Sequence, residues 1–260
     1  MGRGGNQTDS ASSIVAARGD EFADQRQEAI ELLAQEPLSG HQVSLMCLTG
    51  SRAYGMAHDG SDADYRGFYL APSERFLGLG APQEQLEKND PDLTIFEIAK
   101  FCRLAQAANP NVFEVLYAPV MCEDEIGSLI RENRRLFLSQ RVRTTYTGYA
   151  HGQFKKLQAK DVKRPEKREK FARHLFRLFE QGHQLLAEGD LTLRVSDPER
   201  LRELSKAPLE VIKKEFDRLD AEVRGMSSSL PEKPDYKAID KLVREIRLED
   251  LAARGSAGRA

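Results

Sequence analysis

Asp62 and Asp64 are the residues of this chain whose type and spacing most directly specify a chemistry. In an extended strand alternate residues face the same side, so their Cα atoms would sit roughly 6.7 Å apart and two carboxylates would converge on one point. Hard divalent cations prefer such oxygen donors; Mg²⁺ takes one or two carboxylates and completes its shell with water and substrate phosphate. In two-metal phosphoryl chemistry the ions lie about 3.5–4 Å apart, one activating the attacking hydroxyl and the other neutralising the leaving phosphate. Gly50-Ser51 stands eleven positions upstream of Asp62. A glycine there permits close backbone approach, and the exposed N–H groups with the Ser51 hydroxyl can hold triphosphate oxygens. Either half alone is common. A Gly-Ser turn closing one strand and Asp-x-Asp opening the next is far more specific.

The elements that must position these residues follow from periodicity. Asp20 to Gln35 reads as a helix with Phe22, Ile30, Leu32 and Leu33 as its apolar positions, stopped by Pro37-Leu-Ser-Gly40. Gln42 to Leu48 reads as a central strand, apolar on both faces near its end, and Asp62 to Leu70 as a second strand closed by Ala71-Pro72. Gly50 to Gly60 between them is a loop or short helical turn. Leu86 to Pro91 is polar and turn-rich, and Asp92 to Phe96 has the content of a third strand. A helix to about Ala108 follows, with Ile98, Phe101, Cys102 and Ala105 on one face, and Asn109-Pro110 stops it. Asn111 to Tyr117 is apolar enough to be buried and fits helix or strand. Beyond Cys122 helices are expected at 123–137, 139–159, 165–188, 208–226 and 236–253, with Pro165 and Pro208 in first turns and Gly189 as a C-terminal cap. The layout is α+β: a frayed tail over 1–19, a mixed α/β unit over 20–121, a helical region over 122–254 and a disordered end at 255–260.

The segments Gly50-Ser-Arg-Ala-Tyr-Gly55 and Ser61-Asp-Ala-Asp-Tyr-Arg-Gly67 resemble the signature of the DNA polymerase β nucleotidyltransferase superfamily. They look most like its RNA-repair-pathway, RNA-ligase-associated branch of phage and bacterial proteins. Phe96-Glu-Ile-Ala-Lys-Phe101, Asn109-Pro-Asn111, Glu114-Val-Leu-Tyr-Ala-Pro119 and Lys170-x-x-x-His174-x-x-Arg177 agree with that branch. The resemblance covers about Val43 to Gly189. It implies a palm-like mixed or antiparallel sheet with C-terminal helices packed on it, two Mg²⁺ ions replaceable by Mn²⁺, and transfer of an NMP from an NTP such as ATP to a hydroxyl, with RNA ends as acceptors. It also implies a third carboxylate from an adjacent strand. Asp92, opening the third strand, is the first choice, and Glu97 competes for that place although a helix dipole would also explain an acid there. The catalytic and metal set is therefore Asp62, Asp64 and Asp92.

Arg52 and Arg66 lie inside the motif, where a guanidinium can fork onto phosphate; Arg66 could equally pair with an aspartate such as Asp64. Lys100 could reach the nucleotide, and Tyr54 could stack on a base or simply pack. Lys170, His174, Arg177 and Gln181 step by four, three and four along a helix, one polar stripe that either looks into a cleft or flanks an ordinary amphipathic helix. Gly50, Ser51, Arg52, Arg66, Lys100, His174 and Arg177 are thus the candidate nucleotide-binding residues. Between Phe154 and Arg177 ten Lys or Arg (155, 156, 160, 163, 164, 167, 168, 170, 173, 177) outnumber three acids. That stretch, Lys155 to Arg177, is either a phosphate-facing surface for an RNA acceptor or a solvated helix face.

Bulk properties narrow the classes. With 40% hydrophobic and 31% charged residues and no long apolar run, the composition is that of a water-soluble globular protein and not of a membrane span. The N-terminus lacks the pattern of a secretory signal, and three cysteines without metal-ligand spacing suit reduced thiols, so a cytoplasmic protein is expected. A net charge of −2 predicts no general attraction to nucleic acid, only a local one. Two other readings stay open: a toxin-like enzyme modifying a protein or small molecule, and an inactive RNA-binding or scaffold protein.

Overall fold

Two adjacent strands buried on both faces organise the chain in the computed structural model, which describes residues 21–159 and 164–257. They are β1 (Gln42–Thr49) and β2 (Asp64–Leu70), paired antiparallel from Gln42↔Leu70 to Thr49↔Asp64. From Leu45 onward β1 is nearly continuous apolar sequence, as a strand covered on both sides requires. β3 (Gln85–Asn89) and β4 (Asp92–Glu97) form a hairpin, and β4 lies parallel to β2 with Asp64 opposite Asp92. β5 (Val120–Glu123) pairs antiparallel with the other edge of β1. The result is a five-stranded mixed sheet in the order β3-β4-β2-β1-β5.

α1 (Ala23–Leu33) packs on β1 and β5, and the single turn α2 (Gly50–Ala53) leaves the end of β1 directly. α3 (Ile98–Gln106) packs against β2 and β4 through the anticipated face of Ile98, Phe101, Cys102 and Ala105, all buried. The segment that fitted helix or strand is helical: α4 (Pro110–Phe113), capped by the Asn109 side chain, continues into a 3₁₀ turn over Glu114–Leu116. α5 (Glu125–Glu132) and a 3₁₀ turn at Arg134–Phe137 lead into α6 (Arg141–Gln158) and α7 (Pro165–Glu188), which pack on each other. α7 has the expected ends, Pro165 in its first turn and Gly189 as a left-handed cap with φ 67°. α8 (Pro198–Lys206) and α9 (Leu209–Gly225) pack on α7, whereas α10 (Tyr236–Ala257) returns to α3.

Three expectations are corrected. Gln85–Asn89, read as turn, is an edge strand with Leu86 as its only buried residue, so its sequence lacks an apolar alternation. β5 crosses the boundary placed between 121 and 122, because the sheet needs Met121 and Cys122 to cover the β1 edge. α10 continues to Ala257, beyond the 253 and 255 limits. The tail at 1–19, positions 160, 161 and 163 of the basic stretch, and residues 258–260 lie outside the described residues. Among those described, no helix is long and apolar enough to cross a membrane. The three cysteines are free and buried, and burial pushes the Cys102 and Cys122 thiols up to about 12, which suits packing and not reactivity.

Candidate active site

Asp64 and Asp92 open two neighbouring parallel strands in register, so their side chains rise from the same edge of the sheet. Thr49 ends β1 opposite Asp64, and its hydroxyl donates to the Asp64 carbonyl at 3.2 Å. Gly50 then turns the chain with φ +70°, a conformation that L side chains rarely adopt. A Cβ at Gly50 would stand 1.7 Å from Asp64 Oδ2. Glycine is therefore required twice, by the backbone and by the carboxylate that leans on it.

These residues form one wall of a cleft of about 360 Å³ whose opposite wall is α7, through Lys170, Arg173, His174 and Arg177. Ser51, Arg66, Asn111 and Glu114 also line it. Lys170, His174 and Arg177 of the α7 polar stripe thus look into the cleft, whereas Gln181 is buried outside its lining. Burial and the neighbouring Asp92 charge raise the Asp64 carboxyl to about 6, against the opposing pull of Arg66 and Lys170. Asp92 is half-exposed and pairs with Arg66 Nη2 at 3.2 Å, while Arg66 Nη1 donates to Thr94 Oγ1. Arg66 does form an ion pair, with Asp92 in place of the expected Asp64.

Behind the carboxylates, Arg177 Nη1 donates to Glu114 Oε2 at 3.0 Å, the Tyr54 hydroxyl donates to the same carboxylate, and the guanidinium stacks 3.7 Å from the Tyr54 ring centre. All three side chains are buried. Burial opposes the guanidinium charge, but Tyr54 and Glu114 outweigh it and hold Arg177 charged. His174 moves the other way: burial, then Arg177, Lys156 and Lys170, lower its imidazole to about 3, and its Nε2 has no hydrogen-bond partner. It is a neutral ring at working pH.

A second cavity, of about 290 Å³ between α7, α8 and α9, has a different character. Its Arg200 and Arg218 pair with Glu215, His183 faces Glu222, and Asp197 caps α8. Charges that satisfy one another leave nothing convergent for a substrate, so the sheet-edge cleft is the candidate site.

The family model described as the RNA repair pathway DNA polymerase beta family matches residues 24–245. The chain belongs to this family. No curated protein and no solved structure matches it. The match takes in α8, α9 and part of α10, and so extends well past the Gly189 limit of the sequence resemblance.

Within this family member the cleft gathers most of the anticipated residues and leaves out four. Asp62 is exposed, ahead of β2 and outside the cleft lining, because β2 pairing begins only at Asp64. Arg52 donates to the Ser61 carbonyl and ties down the loop before β2. Lys100 bonds Gln85 and pairs with Glu84 beside the far end of β4. Glu97 is buried at that same end, caps α3 through Ala99 N–H and pairs with Arg247 at 2.6 Å, away from the cleft lining. Glu114 was not foreseen as a site residue. Its signal was available, since an acid inside the apolar run Val112 to Leu116 must find a buried partner.

Among the described residues no group of three or more His, Cys, Asp or Glu side chains is arranged to hold a metal. Two carboxylates nevertheless meet the requirement of Mg²⁺, whose remaining positions are filled by water and phosphate. Burial first, and then the neighbouring Asp92 charge, raise the Asp64 carboxyl, and a cation bound between the two carboxylates would oppose both effects.

Proposed function

We propose that this chain is a divalent-cation-dependent nucleotidyltransferase that moves an NMP from an NTP to a hydroxyl at an RNA end. The observation that carries the reading is the register pairing of Asp64 with Asp92 beside the Gly50-Ser51 turn, in a cleft walled by cationic side chains. The sheet serves as the palm, and α6 to α9 close over the nucleotide. Asp64 and Asp92 would hold Mg²⁺ or Mn²⁺, with Asp62 two positions upstream as the further carboxylate. Two bound ions would supply activation of the acceptor hydroxyl and neutralisation of the leaving charge.

The chain's own residues do the positioning. Backbone N–H groups at Gly50-Ser51 and the Ser51 hydroxyl take triphosphate oxygens, and Lys170 and Arg173 face them from α7. Arg66 holds the Asp92 carboxylate in place through its fork to Thr94. The Tyr54, Glu114 and Arg177 network keeps α7 at a fixed distance from the carboxylates. The acceptor oxygen then bonds to the α-phosphorus in line as the bond to pyrophosphate breaks, a reaction that needs orientation and charge compensation more than side-chain covalent chemistry.

Incubation with each α-labelled NTP, Mg²⁺ or Mn²⁺, and cellular RNA or protein fractions identifies donor and acceptor together. Label on RNA that disappears in Asp64→Ala and in Asp92→Ala, with the fold retained, is the expected result; wild-type rates in either variant would refute the site. Label on protein would favour the protein-modifying alternative, and absence of metal-dependent NTP binding the inactive scaffold. Asp62→Ala measured separately reports whether the exposed carboxylate belongs to the metal set. Cytoplasmic residence is part of the proposal, supported by the three reduced, buried thiols.

A further inference from the structure

The active-site cleft does not end at α7. Asn111, Lys170 and His174 line both the cleft and a neighbouring groove of about 500 Å³ that runs outward between α6 and α7. Gly148, Tyr149, Gly152, Gln153, Lys156 and Phe171 complete the groove, and among the described residues no acid lines it. The cleft holds the carboxylates, and the described residues that line the groove leaving it are cationic or neutral.

Gly148 and Gly152 sit four apart on one face of α6. Glycine weakens a helix relative to alanine, so each needs a reason. Packing does not supply it: a Cβ at either position would meet nothing within 4 Å. What the two glycines do is leave the groove floor bare. Beside them Tyr149 is fixed, its hydroxyl accepting from Asn109 Nδ2 at 2.9 Å, which gives a half-buried aromatic ring in a held orientation. The Lys156 ammonium stands 5.7 Å from the Phe171 ring centre at the groove wall, and Lys170 stands where groove and cleft join. His174 lines the same junction, its buried Nε2 without a hydrogen-bond partner.

We infer that the groove between α6 and α7 is the acceptor track, which takes the end of a single-stranded RNA, seats its last unpaired bases over Gly148 and Gly152 against Tyr149, and runs its phosphates along Lys156 and Lys170 to the carboxylates. This rests on the nucleotidyltransferase reading of the cleft and adds to it the single-stranded form of the acceptor end and its path. Sequence-tolerant strand binding needs this combination of cationic groove and aromatic face, and a base must be unpaired to present its own face. Continuity with the cleft and the absence of acids favour a polyanion over a folded protein partner.

The test measures the full chain for two separate bindings: a fluorescent single-stranded RNA oligonucleotide with a free 3′-hydroxyl, and a fluorescent NTP analogue with Mg²⁺. Gly152→Leu and, independently, Gly148→Leu place a side chain on the groove floor, from positions where a Cβ meets nothing within 4 Å. RNA affinity is expected to fall about tenfold or more, the loss of one stacked base. NTP binding is expected to stay unchanged and Tm to stay or rise, because leucine is the better helix former. Lys156→Gln is expected to flatten the dependence of log affinity on log salt by about 0.7, the single-strand value for one phosphate contact. Wild-type RNA affinity in both glycine variants overturns the track. So does a wild-type protein that binds NTP but no RNA, or label transferred only to protein, and the cleft reading then stands by itself. RNA binding that is sensitive to Gly152→Leu in a protein unable to bind NTP would sink the cleft reading and leave the track.

Discussion

At the scale of single residues, Gly50 concentrates the most constraint. Its φ of +70° and the 1.7 Å approach of Asp64 Oδ2 to a would-be Cβ act together, so Gly50→Ala forces either the backbone or the carboxylate to move. The backbone part is worth roughly 1–2 kcal/mol of stability. Displacing Asp64 costs more in rate, about 10²-fold in kcat/KM for an ångström of misplacement. Denaturant unfolding and single-turnover transfer on Gly50→Ala measure the two separately. His174 gives a pH prediction. Its folded pKa, about 3, lies below the unfolded value, so beneath pH 6.5 the unfolded chain takes up a proton that the fold refuses, and stability declines as pH falls. By pH 5 the loss is at most roughly 2 kcal/mol, reduced by the solvent that still reaches the ring. Unfolding free energies of wild type and His174→Gln should therefore converge as pH drops from neutral; a constant difference would show that burial of His174 does not hold it neutral.

At the scale of elements, β4 carries one carboxylate at each end, and the two do different things. Asp92 opens the strand at the cleft, whereas Glu97 closes it roughly 17 Å away, where it caps α3 and binds Arg247 of α10. Removing Arg247 leaves Glu97 buried without its cation, which costs about 3–5 kcal/mol. Arg247→Leu should thus lower the unfolding midpoint sharply and leave metal-dependent NTP binding of the folded fraction unaltered. A loss of NTP affinity without loss of stability would place Glu97 in the site after all. The contrast also shows how far an element can be read from its letters. The apolar face of α3 and both ends of α7 followed from periodicity, proline and glycine. β3 did not, because an edge strand buries only Leu86 and its pairing with β4 lies outside its own sequence.

At the scale of the whole molecule, Glu114 in the turn after α4 and Arg177 of α7 make a buried ionic contact beneath the cleft, backed by Tyr54. Glu114→Ala strands the guanidinium beneath the cleft and should destabilise the chain by about 3–5 kcal/mol, read by urea unfolding. Since that contact sets the gap between α7 and the carboxylates, residual transfer activity should fall along with stability. The sequence by itself determined the family: a Gly-Ser turn and Asp-x-Asp are local patterns, and strand parity, caps and breakers act over a few residues. Which carboxylates meet was decided by tertiary structure. The β1–β2 ladder ends at Thr49↔Asp64, so Asp62 precedes the paired part of the strand, and the parallel β2–β4 register brings Asp92 across from a distant segment. The cationic wall, the buried Glu114 and the groove past Gly152 arise from α7 lying over the sheet edge and against α6. Those contacts depend on the packing of elements far apart in the chain, and no local pattern encodes their distance.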